Sequence, residues 1–212
     1  MIIVIGSRKG GSGKSTIATN IACTLARSFK IMLVDADHQP TSSEWWEERL
    51  EHKDLPTIQS VQKYGKIQSQ LIEFNKVYDH VLVDCSGKDS IELRNALTCA
   101  DILLVPVRPS QPDLNTLPYV NDLIDEILNF NPKLKSYVLL TQAPTNPKID
   151  SIKSAKEVFN DYQNLIPVSQ IIYDRQIYRD AMAEGKGVVE TGNDKANDEI
   201  KGLVKEILNG NN

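Results

Sequence analysis

Short apolar runs rich in β-branched residues recur along the chain at 2–5, 31–34, 81–83, 102–107, 137–140 and 168–172, and each reads as a buried strand. Stretches with helical periodicity lie between them, at 14–28, 42–53, 66–74, 90–99, 114–130 and 150–163. Beyond the last strand, 175–184 and 194–208 read as closing helices, the second with Ile200, Leu203, Val204, Ile207 and Leu208 on one face. Strand alternating with helix predicts an α/β fold: a mostly parallel twisted sheet, connected by right-handed crossovers, with helices on both faces. No linker, repeat or low-complexity stretch interrupts the pattern, so residues 1–212 read as a single domain.

Composition narrows the class without naming a function. Of 212 residues 41% are hydrophobic and 25% charged, with 11 Gly and 10 Pro, which excludes disordered and collagen-like chains. The formal charge of −4 excludes a histone-like binder, so contact with nucleic acid would need a local basic patch. The opening apolar run, Met1 to Gly6, is too short for a signal peptide and meets Ser7-Arg8-Lys9 in the wrong order, and no run approaches a membrane span. The expected location is the cytoplasm. Cys23, Cys85 and Cys99 match no zinc or redox spacing and read as buried thiols, and His38, His52 and His80 form no metal cluster.

The chemistry begins directly after the first strand, with Lys9-Gly10-Gly11-Ser12-Gly13-Lys14-Ser15-Thr16 leading into a helical run. Three glycines in four residues let successive N–H groups turn inward on an anion that the helix N-terminus already favours, which makes a polyphosphate cradle. Lys14 is placed to reach the β- and γ-phosphates and the Ser15 hydroxyl to ligate Mg²⁺. The ordinary phosphate-loop pattern would put glycine at position 8, where this chain has Arg8. It has Lys9 before the paired glycines instead, and in this it resembles the ParA/MinD family of deviant Walker A ATPases. The resemblance implies a P-loop NTPase fold and an ATP-dependent homodimer in which Lys9 crosses to the partner's nucleotide. A cation delivered in trans would neutralise charge developing in phosphoryl transfer, so Lys9, Lys14 and Asp37 are the expected catalytic residues.

The second strand runs into Asp35-Ala36-Asp37-His38-Gln39-Pro40, two carboxylates of one orientation at the edge where parallel sheets hold ligands. The resemblance makes Asp37 the residue that orients the attacking water and Asp35 a support of the Mg²⁺ shell. His38 interrupts the family's usual Asp-x-Asp-Pro-Gln, and either acid could also cap the following helix. A third strand ends at Asp84, as Walker B segments do, where the carboxylate would hold a water on Mg²⁺. The expected metal set is thus Ser15, Asp35 and Asp84. Cys85-Ser86-Gly87 continues into a turn that could answer the γ-phosphate.

Residues 105–110 and the segments 177–181 and 185–190 also resemble the family, so the likeness covers nearly the whole chain, and it is to the small ParA (ParF-type) partition ATPases, which lack an operator-reading extension. That implies nonspecific DNA binding in the ATP state, a nucleoid-associated location when ATP is bound, and release by a ParB-like or other centromere-binding partner. Lys148, Lys153, Lys156, Arg175, Arg179, Lys186, Lys201 and Lys205 are candidate phosphate contacts, although residues 148–212 carry nine basic against eleven acidic side chains. Adenine over guanine rests on the resemblance, since no Asn-Lys-x-Asp occurs. A MinD-like membrane-cycling ATPase would need a basic amphipathic tail; here Lys201 and Lys205 are balanced by Glu199 and Glu206, and the apolar stripe is expected to pack on the body. A nitrogenase-type reductase would need paired cluster cysteines at the dimer face. Of the adjacent Trp45 and Trp46, one is expected in the core and the other is free to meet a partner.

Overall fold

The computed structural model describes residues 1–146 and 150–209. Among them, seven parallel strands form one sheet in the order β3-β2-β4-β1-β5-β6-β7. The strands are β1 (Ile2–Ile5), β2 (Ile31–Ala36), β3 (Gln59–Gln62), β4 (His80–Cys85), β5 (Ile102–Val107), β6 (Lys135–Leu140) and β7 (Ile166–Pro167). The helices are α1 (Lys14–Leu25), α2 (Thr41–Arg49), α3 (Gln68–Val77), α4 (Ile91–Leu97), α5 (Gln111–Leu114), α6 (Leu117–Leu128), α7 (Ser151–Phe159), α8 (Gln176–Ala183) and α9 (Asp194–Asn209), with a 3-10 turn at Val188–Glu190.

The pleat sorts the strand residues between two cores. Ile2 and Val4 of β1 and Met32 and Val34 of β2 face one layer, packed against Leu71 of α3, Leu97 of α4, Leu123 of α6 and Phe159 of α7. Ile3, Ile5, Ile31 and Leu33 face the other, against Ile17 and Ile21 of α1, Trp45 of α2, Tyr178 of α8 and Ile200 of α9. Central strands buried on both faces explain why their sequences read as unbroken apolar runs. The apolar stripe of α9 lies in the second core, with Ile200, Leu203, Val204 and Ile207 all buried.

Three elements differ from the expected pattern, each for an identifiable reason. The polar strand β3, Gln-Ser-Val-Gln, has little hydrophobic signal because it is an edge joined to β2 mainly by backbone bonds, with Val61 alone packing against the core. The run at 168–172 is not a strand: Val168 and Ile172 donate to Val138 and Leu140, but between them the amides of Ser169 and Gln170 turn to the Glu206 carboxylate at 2.7 and 3.1 Å. Pairing falls on Ile166–Pro167 instead. The helix expected at 114–130 is α6, which begins only at Leu117 with Pro118 in its first turn, where the missing N–H costs nothing, and the unexpected short helix α5 ends where it was expected to start.

Helix α2 is tied to the C-terminal segment by a buried ion pair. Arg49 donates to both oxygens of Glu190 at 2.9 and 2.8 Å, and the two side chains are 4% and 2% exposed. The pair holds α2, and with it the loop after β2, against α8 and the 3-10 turn. Trp45 Nε1 donates to the Lys186 carbonyl and the half-buried Trp46 to the Ile58 carbonyl, so both indoles serve packing. Glu190→Gln leaves a buried guanidinium without its charge partner and should destabilise the fold by about 3 kcal/mol in urea unfolding; an unchanged midpoint would show that the pair contributes nothing.

Candidate nucleotide site

The C-terminal ends of β1, β2, β4 and β6 meet around the loop at 6–13. Gly11 and Gly13 have φ of 75° and 85°, the left-handed geometry that brings the loop round into α1, whose first turn closes with Ile17 N–H donating to Gly13 O at 2.9 Å. The Lys9 carbonyl gathers the loop: it accepts from Ser7 Oγ at 3.1 Å, Ser12 Oγ at 3.4 Å and Lys14 Nζ at 3.2 Å. Directly after β6, Thr141 Oγ1 donates to the Ser12 carbonyl and Gln142 Nε2 to the Gly11 carbonyl, at 2.8 and 2.9 Å. Gln142 is itself left-handed, with φ 49°.

These elements enclose a cavity of about 580 Å³ lined by the loop glycines, Lys14, Ser15, Thr16, Asp37, His38 and, opposite, Ser86, Gly87 and Lys88. A second cavity of about 230 Å³ shares Gly13, Thr16 and Gln142 with it and runs back to Ile172 and Tyr178. The wall after β4 presses hard on the phosphate loop, since a Cβ on Gly87 would lie 2.6 Å from Gly10 N and 2.8 Å from the Lys9 carbonyl carbon.

The three acids sit differently. Asp84 is 1% exposed and neither oxygen has a hydrogen-bond partner; the nearby Ser15 and Ser42 hydroxyls lower its pKa without completing a bond. Burial pushes it up to about 7, and Asp35, its register partner on β2, adds to the rise. Asp35 is fully buried with both oxygens engaged: Oδ1 accepts from Asp37 N–H at 3.1 Å, and Oδ2 from the Ser43 N–H and Oγ at 2.9 and 2.8 Å. It caps α2, the alternative the sequence left open, and any link to a cation runs through these groups. Asp37 faces the cavity and accepts from the Gln39 amide at 3.0 Å.

Lys14 is buried, and that burial lowers its pKa against the opposing pull of Asp84 and Asp37. Lys9, within the single chain, reaches back to α5: Nζ lies 2.8 Å from Oδ2 of Asp113, a buried carboxylate that also accepts from Arg108 and Ser110. Sequence reasoning missed Asp113, Thr141, Gln142 and Lys88. Thr141 and Gln142 were findable, since polar residues directly after a buried parallel strand lie on the ligand edge. Asp113 was not, because its partner is 104 residues away.

The residues fit a divalent cation bound with polyphosphate. Two carboxylates in register, one of them without a donor, form a buried negative site beside the Ser15 hydroxyl, the hard-oxygen setting that Mg²⁺ favours. Among the described residues, no group of three His, Cys, Asp or Glu is placed to hold a metal ion.

The family model for ATPase MipZ matches residues 1–129. The chain belongs to the MipZ/ParA–MinD family of ATPases. Maintenance of carboxysome distribution protein A of Halothiobacillus neapolitanus is 30% identical over 215 residues, spanning 97% of this chain and 95% of that protein. The MinD cell division protein of Aquifex aeolicus has the same fold, with a TM-score of 0.79 at 20% identity over 100% of this chain and 98% of its own. A Borrelia burgdorferi protein of proposed plasmid-partition function, solved with AMPPNP, gives 0.76 at 20% identity over 98% of both chains.

The basic residues suggested for DNA divide in two. Arg175 pairs with Glu199, Arg179 with Asp174 and Lys186 with Glu184. Lys153 and Lys156 line an open groove with Lys195, while Lys201 and Lys205 lie exposed on α9; Lys148 falls outside the described residues. Among those residues no helix is long and apolar enough to cross a membrane.

Gly87→Ala tests the close approach of the two loops. It should weaken binding of a fluorescent ATP analogue by about tenfold with an unchanged far-UV spectrum, because the only relief of a 2.6 Å backbone clash is to move a cavity wall. Wild-type affinity in this variant would place the wall away from the ligand.

Proposed function

We propose that the chain is a Mg²⁺-dependent ATPase that dimerises around ATP and positions a cargo, acting as a switch between ATP- and ADP-bound states. The observation that carries this is the orphaned Asp84 carboxylate beside Ser15 and Lys14 beneath a left-handed glycine loop. Ser15 and Asp84 would hold Mg²⁺ with Asp35 behind them, and the cation would neutralise phosphate charge and polarise the γ-phosphoryl group. The loop amides at 10–16 bind the phosphates, Lys14 neutralises them from within the chain, and the cavity reaching Ile172 and Tyr178 takes the nucleoside. Asp37 orients the water. Lys9 completes the site in trans once it leaves Asp113, so turnover is slow until two chains meet.

On this reading the ATP dimer binds DNA without sequence preference, in the cytoplasm and on the nucleoid, and a ParB-like or other cargo-bound partner stimulates hydrolysis and release. Plasmid or chromosome partition is the cargo class implied by the small ParA proteins. The identity with the carboxysome distribution protein, spread over nearly the whole of both chains, favours a second reading in which the cargo is a protein assembly.

Lys14→Ala should abolish ATP binding by calorimetry, and normal affinity would remove Lys14 from the site. Lys9→Ala should bind ATP as a monomer but lose about a thousandfold in turnover and fail to dimerise in sedimentation, by analogy with a trans cation. Asp37→Ala should remain an ATP dimer; rapid hydrolysis by it would refute its role. Binding of wild type to nonspecific duplex and to anionic vesicles, each with ATP and ADP across a salt series, separates the classes: DNA retention only with ATP, falling steeply with salt, is the expected result, and ATP-dependent vesicle binding would overturn it.

A further inference from the structure

Arg8 stands where an ordinary phosphate loop has glycine, and its side chain leaves the cavity for α6. Its guanidinium carbon lies 3.7 Å from the centre of the Tyr119 ring. The Tyr119 hydroxyl donates to Oδ2 of Asp89, and Arg94 of α4 forks onto the same carboxylate at 2.8 and 2.9 Å while a third nitrogen reaches Glu126 of α6 at 2.8 Å. Asp89 ends the loop whose Ser86, Gly87 and Lys88 form the cavity wall opposite the glycines.

We infer that Arg8 is a positioning residue of the nucleotide site, holding residues 86–89 in place through the face of Tyr119 and the carboxylate of Asp89. The loop is then fastened to the phosphate loop at two points: Gly87 lies on the backbone of Lys9 and Gly10, and Asp89 is tied through Tyr119 to Arg8. With one end fixed by Asp84 on β4 and the other by Ser90, which caps α4, these residues move with the phosphate loop. Glycine at position 8 would offer no such hold. The clamp is half-exposed and its contacts are individually modest, which suits an adjustable wall better than a permanent one.

The inference rests on the reading of the cavity as a nucleotide site for its kinetic consequence alone, so one arm of the test needs no nucleotide. Hydrogen–deuterium exchange of the free protein reads the loop: Arg8→Gln should raise exchange of the amides at 87–89 about fivefold, the factor carried by one cation–π contact. Tyr119→Leu should do the same, and the double variant should add little to either. Tyr119→Phe keeps the ring under Arg8 and loses the bond to Asp89, so it should loosen 88–89 while remaining as stable to heat as wild type. In the kinetic arm, Arg8→Gln should lower kcat with the dissociation constant for ATP changed by no more than about twofold, and Arg8→Lys, which keeps a cation over the ring, should restore kcat. Unchanged exchange in Arg8→Gln, or effects of Arg8→Gln and Tyr119→Leu that simply multiply, would overturn the clamp. Loosened exchange in a wild-type background that binds no ATP would leave the clamp standing and bring down the nucleotide reading instead.

Discussion

A carboxylate buried without a donor at the end of β4 sets the terms for the edge of the sheet around it. Asp84 lies in the dry interior with Asp35 beside it in register, so its charged form is disfavoured by burial and by a like neighbour at once. Asp35 resolves its own position by accepting three donors from α2 and the loop after β2. Asp84 has no such recourse. What faces it is Lys14, itself buried and drawn toward the Lys9 carbonyl, together with hydroxyls that stop short of bonding. The foot of the glycine loop is therefore short of positive charge, a setting that favours a bound cation.

The two helical layers make that arrangement rigid in different ways. On the α1 side the supports are buried: Trp45 and Arg49 anchor α2 against Lys186, Gly185 and Glu190, fixing the loop that carries Asp37. On the α4–α6 side each contact has a partner open to solvent, the half-buried Lys9 on the buried Asp113 and the exposed Arg8 on Tyr119. Buried pairs resist rearrangement, because parting them strands a charge, whereas exposed ones exchange with water at little cost. Asp113 retains Arg108 and Ser110 if Lys9 departs, so Lys9 can be released without leaving that carboxylate unpaired.

Much of this was legible along the chain. The central strands announce themselves as apolar runs because both faces are covered, and the glycine loop, Lys14, Ser15 and Asp37 come together as their spacing implies. The edges were not legible. β3 is held mainly by backbone bonds, with one apolar side chain, Val61, on the core, and the amides at 169 and 170 leave the ladder for a carboxylate 36 residues on. The basic residues of the last third read alike as solvated charges, yet three are occupied by acids that lie near in the fold.

Local order thus fixed the fold class and the glycine loop, since both depend on residues adjacent in sequence: period-two burial, glycine conformations and a strand-to-helix turn need no distant partner. The fold alone decided which charges are paired and which are left bare. Asp84 is bare and Asp35 satisfied, though both end apolar strands, because the Ser43 amide and hydroxyl of α2 point at Asp35 while no donor completes a bond to Asp84. Pairing is a matter of what stands across the gap, and that is set by strand order and helix placement, which bring residues a hundred positions apart to within 3 Å.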